Sequence, residues 1–460
     1  MESSDPRLQR CRQAHHPIIE RFEEKRKSTK NIPMKVDELF GTIKNTSKQY
    51  QQELEEKRKQ LEKIVEENFP GKYFPLEVAL SVKAQEKIEC ITQPFALILM
   101  GQPSSYKTTI LDIVKELPNC YYTDKFTARS FVSHAAGVPR EKLEQIDLLP
   151  RIKGKTLVTP ELSTIFTQNP DEQHEVFGIL TKILDGKGYK CESGVYGQRG
   201  YEGNYFFTWL GAVVDIPHPV WKLLGNLGFK ISFLRLDSEQ ETLEEKTNRI
   251  IQSIRGKPYS QKLDEAKVSV KEYWSGLESF FDNSKIKCDD SKDDSNSLER
   301  IVTLADILSH LRATVPTWHK QSQDEFSYIF ERPTIEEPSR ATNALYNLAR
   351  GHAVLYGRNY ITKDDLKPVV AVALSSASIE RVELFKLLIL NDGKLDTNQF
   401  MDKVGVSRDT ALKNMEQLKL LGLVDMEDEP ASTKPIKVVR LKQSYKWCLS
   451  EEFKSLLTHP

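Results

Sequence analysis

The apolar positions change their period several times along the chain, and these changes divide it. Between Lys35 and Asn68, Val36, Phe40, Ile43, Tyr50, Leu54, Leu61 and Ile64 recur at three- and four-residue steps among Glu and Lys. That spacing predicts one long amphipathic helix over 34–73, closed by Pro70-Gly71 and preceded by a polar tail, 1–33. Its apolar stripe suits packing on its own domain or half of a coiled coil with a protein partner. A helical segment, Phe74–Gln93, leads into short apolar runs at Phe95–Met100, 119–132, Thr156–Leu162, Phe206–Asp215 and Lys230–Leu236, with helical periods such as Ile110–Leu117 and Val176–Leu184 between them. Strands alternating with helices predict an α/β domain built on a parallel sheet over 74–237. Gly194, Gly197, Gly200 and Gly203, interleaved with Tyr196, Arg199 and Tyr201, predict a hairpin or loop insert. A charged helical connector with an acidic linker, Cys288–Ser297, fills 238–297, and 298–376 reads as all-α. The last segment, 377–460, shows three helices and then two β-rich stretches, Gly422–Met426 and Lys437–Leu441.

One stretch carries candidate chemistry. Gly101-Gln102-Pro103-Ser104-Ser105-Tyr106-Lys107-Thr108-Thr109 lies between an apolar run and a helical one. Strand, loop, helix is the order of a phosphate-binding loop, in which backbone N–H groups and a helix N-terminus surround phosphates. In it Lys107 would reach the β- and γ-phosphates of ATP and the Thr108 hydroxyl would hold Mg²⁺. Tyr106 stands where glycine is expected. In the run ending Thr159-Pro160-Glu161, Pro160-Glu161 replaces the usual Asp-Glu. Glu161 is then either the carboxylate that polarises the attacking water or a charge suited to a helix N-terminus.

Composition narrows the setting. The chain of 460 residues has 66 Lys+Arg against 66 Asp+Glu, so any nucleic-acid surface is local. Its six cysteines are scattered without metal-ligand spacing, which speaks against zinc or a disulfide framework and for a reduced, cytoplasmic setting. No apolar run approaches a membrane span. Arg199 on the glycine-rich insert suits contact with a DNA strand. Helix, helix, helix and two-stranded wing is a winged-helix order, whose third helix carries Arg408, Lys413 and Gln417, with Lys434, Lys437 and Arg440 on the wing. Such modules dock on DNA or on protein.

Together these pieces resemble the AAA+ ATPases, in the branch of MCM helicases and MoxR-type ATPases, over roughly residues 74–460. The strongest part is Glu337-Pro338-Ser339-Arg340-Ala341-Thr342-Asn343-Ala344-Leu345, continued by Leu348-Ala349-Arg350-Gly351-His352-Ala353 and Tyr356–Leu366. It looks like the AAA+ helical lid with sensor 2 at Arg340, touching the γ-phosphate. The resemblance puts Asp215 at sensor 1 and Lys230 near the arginine finger, acting in trans. It implies ATP and Mg²⁺ as cofactors, a homo-oligomer such as a ring or hexamer, and DNA as target for a helicase, loader or replication factor. The alternatives are a MoxR-like remodeller of proteins and a low-turnover nucleotide-sensing scaffold. The N-terminal DNA-binding domain of MCM helicases has no counterpart in the sequence.

Overall fold

The computed structural model describes residues 36–133, 138–167, 169–193, 197–236, 242–321, 326–430 and 436–457. The expected tail, 1–33, and Lys434 lie outside them. Five parallel strands form the central sheet: β1 (Phe95–Met100), β2 (Cys120–Tyr122), β3 (Thr156–Thr159), β6 (Thr208–Val213) and β7 (Ile231–Arg235). Their order is β2-β3-β6-β1-β7. β1, β3 and β6 are buried along their whole length, as near-continuous apolar runs in a parallel sheet must be. The glycine-rich insert is an antiparallel hairpin of β4 (Gly188–Ser193) and β5 (Gly197–Glu202). Gly200, at φ +124°, allows the close approach: a Cβ there would lie 2.0 Å from the Tyr189 carbonyl oxygen.

The long helix α1 (Val36–Asn68) is continuous, and Pro70-Gly71 lies in the turn after it. Next comes α2 (Tyr73–Ala84), in which every residue is buried. The core helices are α3 (Lys107–Val114), α4 (Arg140–Ile146), α5 (Leu148–Ile152), α6 (Ser163–Phe166), α7 (Pro170–Ile183) and α8 (His218–Leu227). The connector supplies α9 (Leu243–Arg255) and α10 (Tyr259–Phe280). α10 runs antiparallel to α1: Asn68 reaches Glu265 at 3.0 Å, while Lys57 packs against Gly276. Over its C-terminal half, then, the stripe of α1 is used within the chain, through Leu54, Leu61 and Val65.

Two expectations need correction. The segment 298–376 is not all-α: between α11 (Ser295–Arg312) and α12 (Ser339–Leu355) stands a second hairpin, β8 (Thr317–Gln321) with β9 (Phe326–Phe330). Aromatic and β-branched residues on both strands, with Trp318 opposite Ile329 and Thr317 opposite Phe330, explain the strand preference. Nor is Cys288–Ser297 a free linker. Asp289 N–H donates to the Asn359 carbonyl, Asp293 accepts from Ile361 N–H, and Arg350 pairs with Asp290 at 2.6 Å. Residues that look solvated in sequence are bonded to Arg350 and to the backbone at 359–361.

α12 crosses α2 so closely that a Cβ at Gly351 would lie 2.0 Å from the Ser81 carbonyl oxygen. Beside that crossing lies a buried charged network. His352 Nδ1 stands 2.6 Å from Asp365 Oδ1, and its Nε2 lies 3.8 Å from Glu77 Oε1. Arg358 binds both Asp365 oxygens, and Tyr356 donates to Glu77. The chain continues through α13 (Leu366–Ser375) to the C-terminal unit: α14 (Ile379–Leu390), β10 (Lys394–Asp396), α15 (Thr397–Val404), α16 (Arg408–Leu420), β11 (Val424–Glu429), β12 (Ile436–Leu441) and α17 (Glu451–Leu457). The expected three helices and two strands are present, and β10 adds a third strand, in the order β10-β12-β11. The unit is seated on α11 and α13: Tyr445 donates to Asp306, His310 Nδ1 meets the Leu421 carbonyl, and Arg381 donates to the carbonyls of Leu311 and Ala313.

Burial opposes charging of His352, but the two carboxylates outweigh it and raise its pKa to about 9. An unfolded histidine titrates near 6.5. The stability this imidazolium contributes is therefore complete below about pH 6.5 and is lost as pH rises through about 9. In denaturant titrations between pH 6 and 10, the native chain should lose a few kcal/mol over that window, and His352→Gln should be destabilised at pH 6 and show a flatter profile. Parallel profiles for the two proteins would contradict this.

Candidate nucleotide site

β1 ends at Met100, and the loop 101–106 turns the chain into α3. Two of its residues adopt left-handed backbone, Ser104 at φ 66° and Tyr106 at φ 67°. For tyrosine that conformation costs about 1–2 kcal/mol. The ring is held away from the loop: it packs against Phe69 just beyond α1, with centroids 5.5 Å apart, and Phe69 in turn meets Tyr259 at 6.1 Å.

Lys107, the first residue of α3, folds its ammonium into the loop. Nζ donates to the carbonyls of Gly101 (2.7 Å) and Gln102 (2.8 Å) and to Ser105 Oγ (3.2 Å). All three acceptors are neutral, so the loop keeps a net positive charge. Desolvation lowers the lysine's pKa, and the Glu161 carboxylate opposes that shift. Pro103 and Thr108 are exposed at the loop and at the start of the helix. Thr109 is turned inward, its hydroxyl 2.8 Å from that of Tyr259, which corrects its expected place among the phosphate-facing residues.

The sheet brings two carboxylates to the same edge. Glu161 follows β3, is exposed, and accepts the Ser163 N–H at 2.7 Å. It thereby supports the first turn of α6, and its charge also acts on Lys107. Asp215 follows β6, is exposed, and accepts the Ile216 N–H at 2.8 Å. Because β6 lies beside β1, with Gly101 N–H donating to the Val213 carbonyl, Asp215 stands beside the loop.

Arg340 and Lys230 lie elsewhere. β7 runs parallel to β1 with Ala96 opposite Ile231 and Met100 opposite Arg235, so Lys230 sits at the starting edge of the sheet. Six strand residues, about 20 Å, separate that edge from the loop. Arg340 is there as well, its NH1 3.6 Å from Glu336, while Glu336 also accepts the Phe229 N–H. Arg340 therefore does not reach a phosphate held by its own loop. Lys230 is no finger either: its side chain is 5% exposed and ion-paired with Asp185 of the same chain, because a buried ammonium needs a carboxylate beside it.

The DNA candidates are distributed differently from expectation. Arg199 lies on β5 opposite Cys191, half-buried. Arg408 is exposed at the start of α16. Lys413 instead sits 5.3 Å from the centre of the Tyr328 ring, and Gln417 bonds Thr317, so that face of α16 abuts the second hairpin. Lys437 pairs with Asp428 at 2.8 Å, and Arg440 with Glu427 and Glu429. Thus β11 neutralises the basic residues of β12. Sequence reasoning missed Phe69 and Tyr259 as the support of the loop. The signal was the size of Tyr106 itself, which demands an apolar wall.

Residues 337–376 match the AAA lid domain. Two solved structures are similar at low overall superposition. One is the A form apo structure of the NrS-1 C-terminal region, 12% identical over 84% of this chain and 76% of that one, with a TM-score of 0.22. The other is the Aeropyrum pernix Orc1 protein in complex with DNA, 14% identical over 84% and 94%, with a TM-score of 0.24. No curated protein matches the sequence. With its strand order, loop and lid match, the chain has an α/β P-loop fold of the AAA+ type.

The strained loop residue is directly testable. Tyr106→Ala keeps the left-handed strain and loses the contact with Phe69, whereas Tyr106→Gly loses both the contact and the strain. The glycine variant should be about 1 kcal/mol more stable than the alanine variant in equilibrium unfolding. Equal stabilities would mean that the backbone relaxes.

Proposed function

We propose that the chain binds ATP with Mg²⁺ at the loop 101–109 and hydrolyses it slowly, as an MCM-like AAA+ protein working on DNA as a homo-oligomer. What carries the reading is the ammonium of Lys107 held by neutral acceptors within the loop, with Glu161 and Asp215 on the same sheet edge. Bound nucleotide would exchange the loop carbonyls for phosphate oxygens as partners of Nζ. The exposed Thr108 hydroxyl would hold Mg²⁺, which would supply charge neutralisation. Glu161 would orient water, and Asp215 would accept a hydrogen bond from it. Arg340, 42% exposed at the far edge, would serve the nucleotide of a neighbouring copy. DNA would meet the first hairpin near Arg199 and the winged helix near Arg408, with Lys413 joining if the second hairpin withdraws.

The charge pairing of β11 with β12 favours a second reading, in which the winged helix docks on protein and the machine remodels protein partners.

ATP binding and turnover, measured with and without single-stranded and duplex DNA, test the proposal. Lys107→Ala should weaken binding at least about tenfold. Glu161→Gln should keep binding and lose roughly 10²-fold in turnover. Mixing inactive Lys107→Ala with inactive Arg340→Ala should restore part of the turnover, since one pairing retains both groups. Full activity of Lys107→Ala would refute the site, and the absence of restoration would refute the trans role. Turnover indifferent to DNA would favour the second reading.

A further inference from the structure

The cysteines stand far apart in the sequence, yet among the described residues the fold brings two of them together. Cys90 lies in the turn between α2 and β1, and Cys288 in the connection between α10 and α11. The main chains meet just before them. Ile88 and Ile286, both buried, form a parallel bridge: Glu89 N–H donates to the Ile286 carbonyl at 3.0 Å, and Ile286 N–H to the Lys87 carbonyl at 2.7 Å. Each cysteine follows its bridged isoleucine by two residues. Asn359 fixes the backbone on both sides of Cys288. Its side-chain amide donates to the Lys287 carbonyl at 3.0 Å, and its own carbonyl accepts the Asp289 N–H at 2.9 Å.

The thiols themselves are hydrogen-bonded to one another. Both are free, Cys90 exposed and Cys288 half-buried against the core. Arg350 of α12 holds the pair in place. Its NH1 donates to Cys90 Sγ at 3.4 Å, while NH2 binds Asp290 at 2.6 Å and Tyr346 at 2.9 Å. Burial pushes the Cys288 thiol up to about 12, against the opposing charge of Arg350, so it stays protonated at neutral pH. Cys90, on the surface, is the one that meets a reagent first. A disulfide needs Cα atoms about 4.4–6.8 Å apart, and bridged strands lie about 4.8 Å apart, so the joined main chains suit a bond here. Elsewhere, Cys120 donates to the Val114 carbonyl at 3.3 Å and Cys448 is buried.

We propose that Cys90 and Cys288 are a redox-active dithiol whose substrate is a low-molecular-weight disulfide of the glutathione type. Cys90, as thiolate, attacks one sulfur of the reagent. A mixed disulfide forms, the reagent's S–S bond breaks, and the first thiol leaves with the proton that Cys90 gave up. Cys288 then attacks Cys90 Sγ, and its proton goes with the second thiol as the mixed disulfide breaks. Two protein thiols are oxidised and one external disulfide is reduced to two thiols. Contact between the sulfurs makes the second attack intramolecular, which offsets the small thiolate fraction of Cys288. The finished bond joins the entry to β1, the strand that ends at the nucleotide loop, to the connector beside the lid helix α12. Excess external thiol reverses it by the same two steps.

The test incubates the full chain with reduced and oxidised glutathione at graded ratios, alkylates the remaining thiols, and maps the disulfides by mass spectrometry after digestion without reduction. The native chain should give one dominant cross-linked peptide pair, Cys90 with Cys288, which disappears as reduced glutathione is raised. The same chain unfolded in denaturant should give mixed disulfides without that preference. Cys288→Ser should accumulate glutathione on Cys90, where the native chain passes it on. The proposal is overturned if native Cys90 stays unmodified, if the reaction stops at its mixed disulfide, if another pair predominates, or if the unfolded chain forms the same pair as readily. It is overturned equally if a folded Cys288→Ser chain retains no more glutathione than the native one. Should Cys288→Ser fail to fold, the native and unfolded arms decide, since neither needs a variant.

Discussion

The outer N–H groups of β7 constrain the whole molecule. A five-stranded parallel sheet leaves one side of its edge strand without a partner, and buried N–H groups without acceptors are costly. Two serines answer this. Phe233 N–H donates to Ser376 Oγ at 2.9 Å and Arg235 N–H to Ser375 Oγ at 3.0 Å. Both serines stand at the end of α13, so the lid is fastened to the sheet by its backbone needs as well as by apolar packing. The adjoining carbonyls are taken by arginines: Arg312 donates to Ser376 and Leu224, and Arg235 to Ala377. Burial lowers the pKa of Arg312 to about 10, which leaves it charged at neutral pH. Core, lid and C-terminal unit thus form one body through a small cluster of side chain–carbonyl bonds.

That fastening separates the two ends of the sheet by task. At the finishing edge the strands release Gly101, Glu161 and Asp215 into the turns that surround the loop. At the starting edge, α12 brings Arg340 against Gly228, Phe229 and Lys230. Since α13 is hydrogen-bonded to β7, a lid swing large enough to carry Arg340 around the sheet would strand several buried polar groups. The lid is therefore held in place, and Arg340 stays with it at the starting edge. α9 buries none of its residues, so movement there costs little.

Periodicity exposed the sheet, the long first helix and the C-terminal unit, because each has an apolar pattern set by one dominant face. The loop was legible down to Lys107, since strand, loop and helix follow in sequence. Arg340 and Lys230 were misplaced for a different reason: their neighbours are determined by which edge of the sheet they occupy, and that depends on strand order, which no local pattern encodes. The second hairpin was hidden by the helices flanking it, with Thr317-Trp318 and Phe326–Phe330 too short to shift the helical reading. The acidic stretch at 288–297 read as solvated because its partners, Arg350, Tyr346 and the backbone at 359–361, lie over fifty residues away.

Tyr106 connects the site to the rest of the chain. A glycine there would make the loop easier to form and leave it free of any wall. Tyrosine accepts left-handed backbone only because its ring is clasped by Phe69, and Phe69 closes the paired helices α1 and α10. Tyr259, which opens α10, bonds Thr109 within the first turn of α3. The loop is thereby held by two contacts to one helical pair, one apolar and one polar, on either side of Lys107. Any rearrangement of the loop around phosphates must preserve or break these contacts, so nucleotide would be felt by α1 and α10. It would be felt too by α9, whose segment starts against Gly101 and ends at Tyr259. The residue that departs most from the standard loop is then the one that ties the loop to the helices beside it.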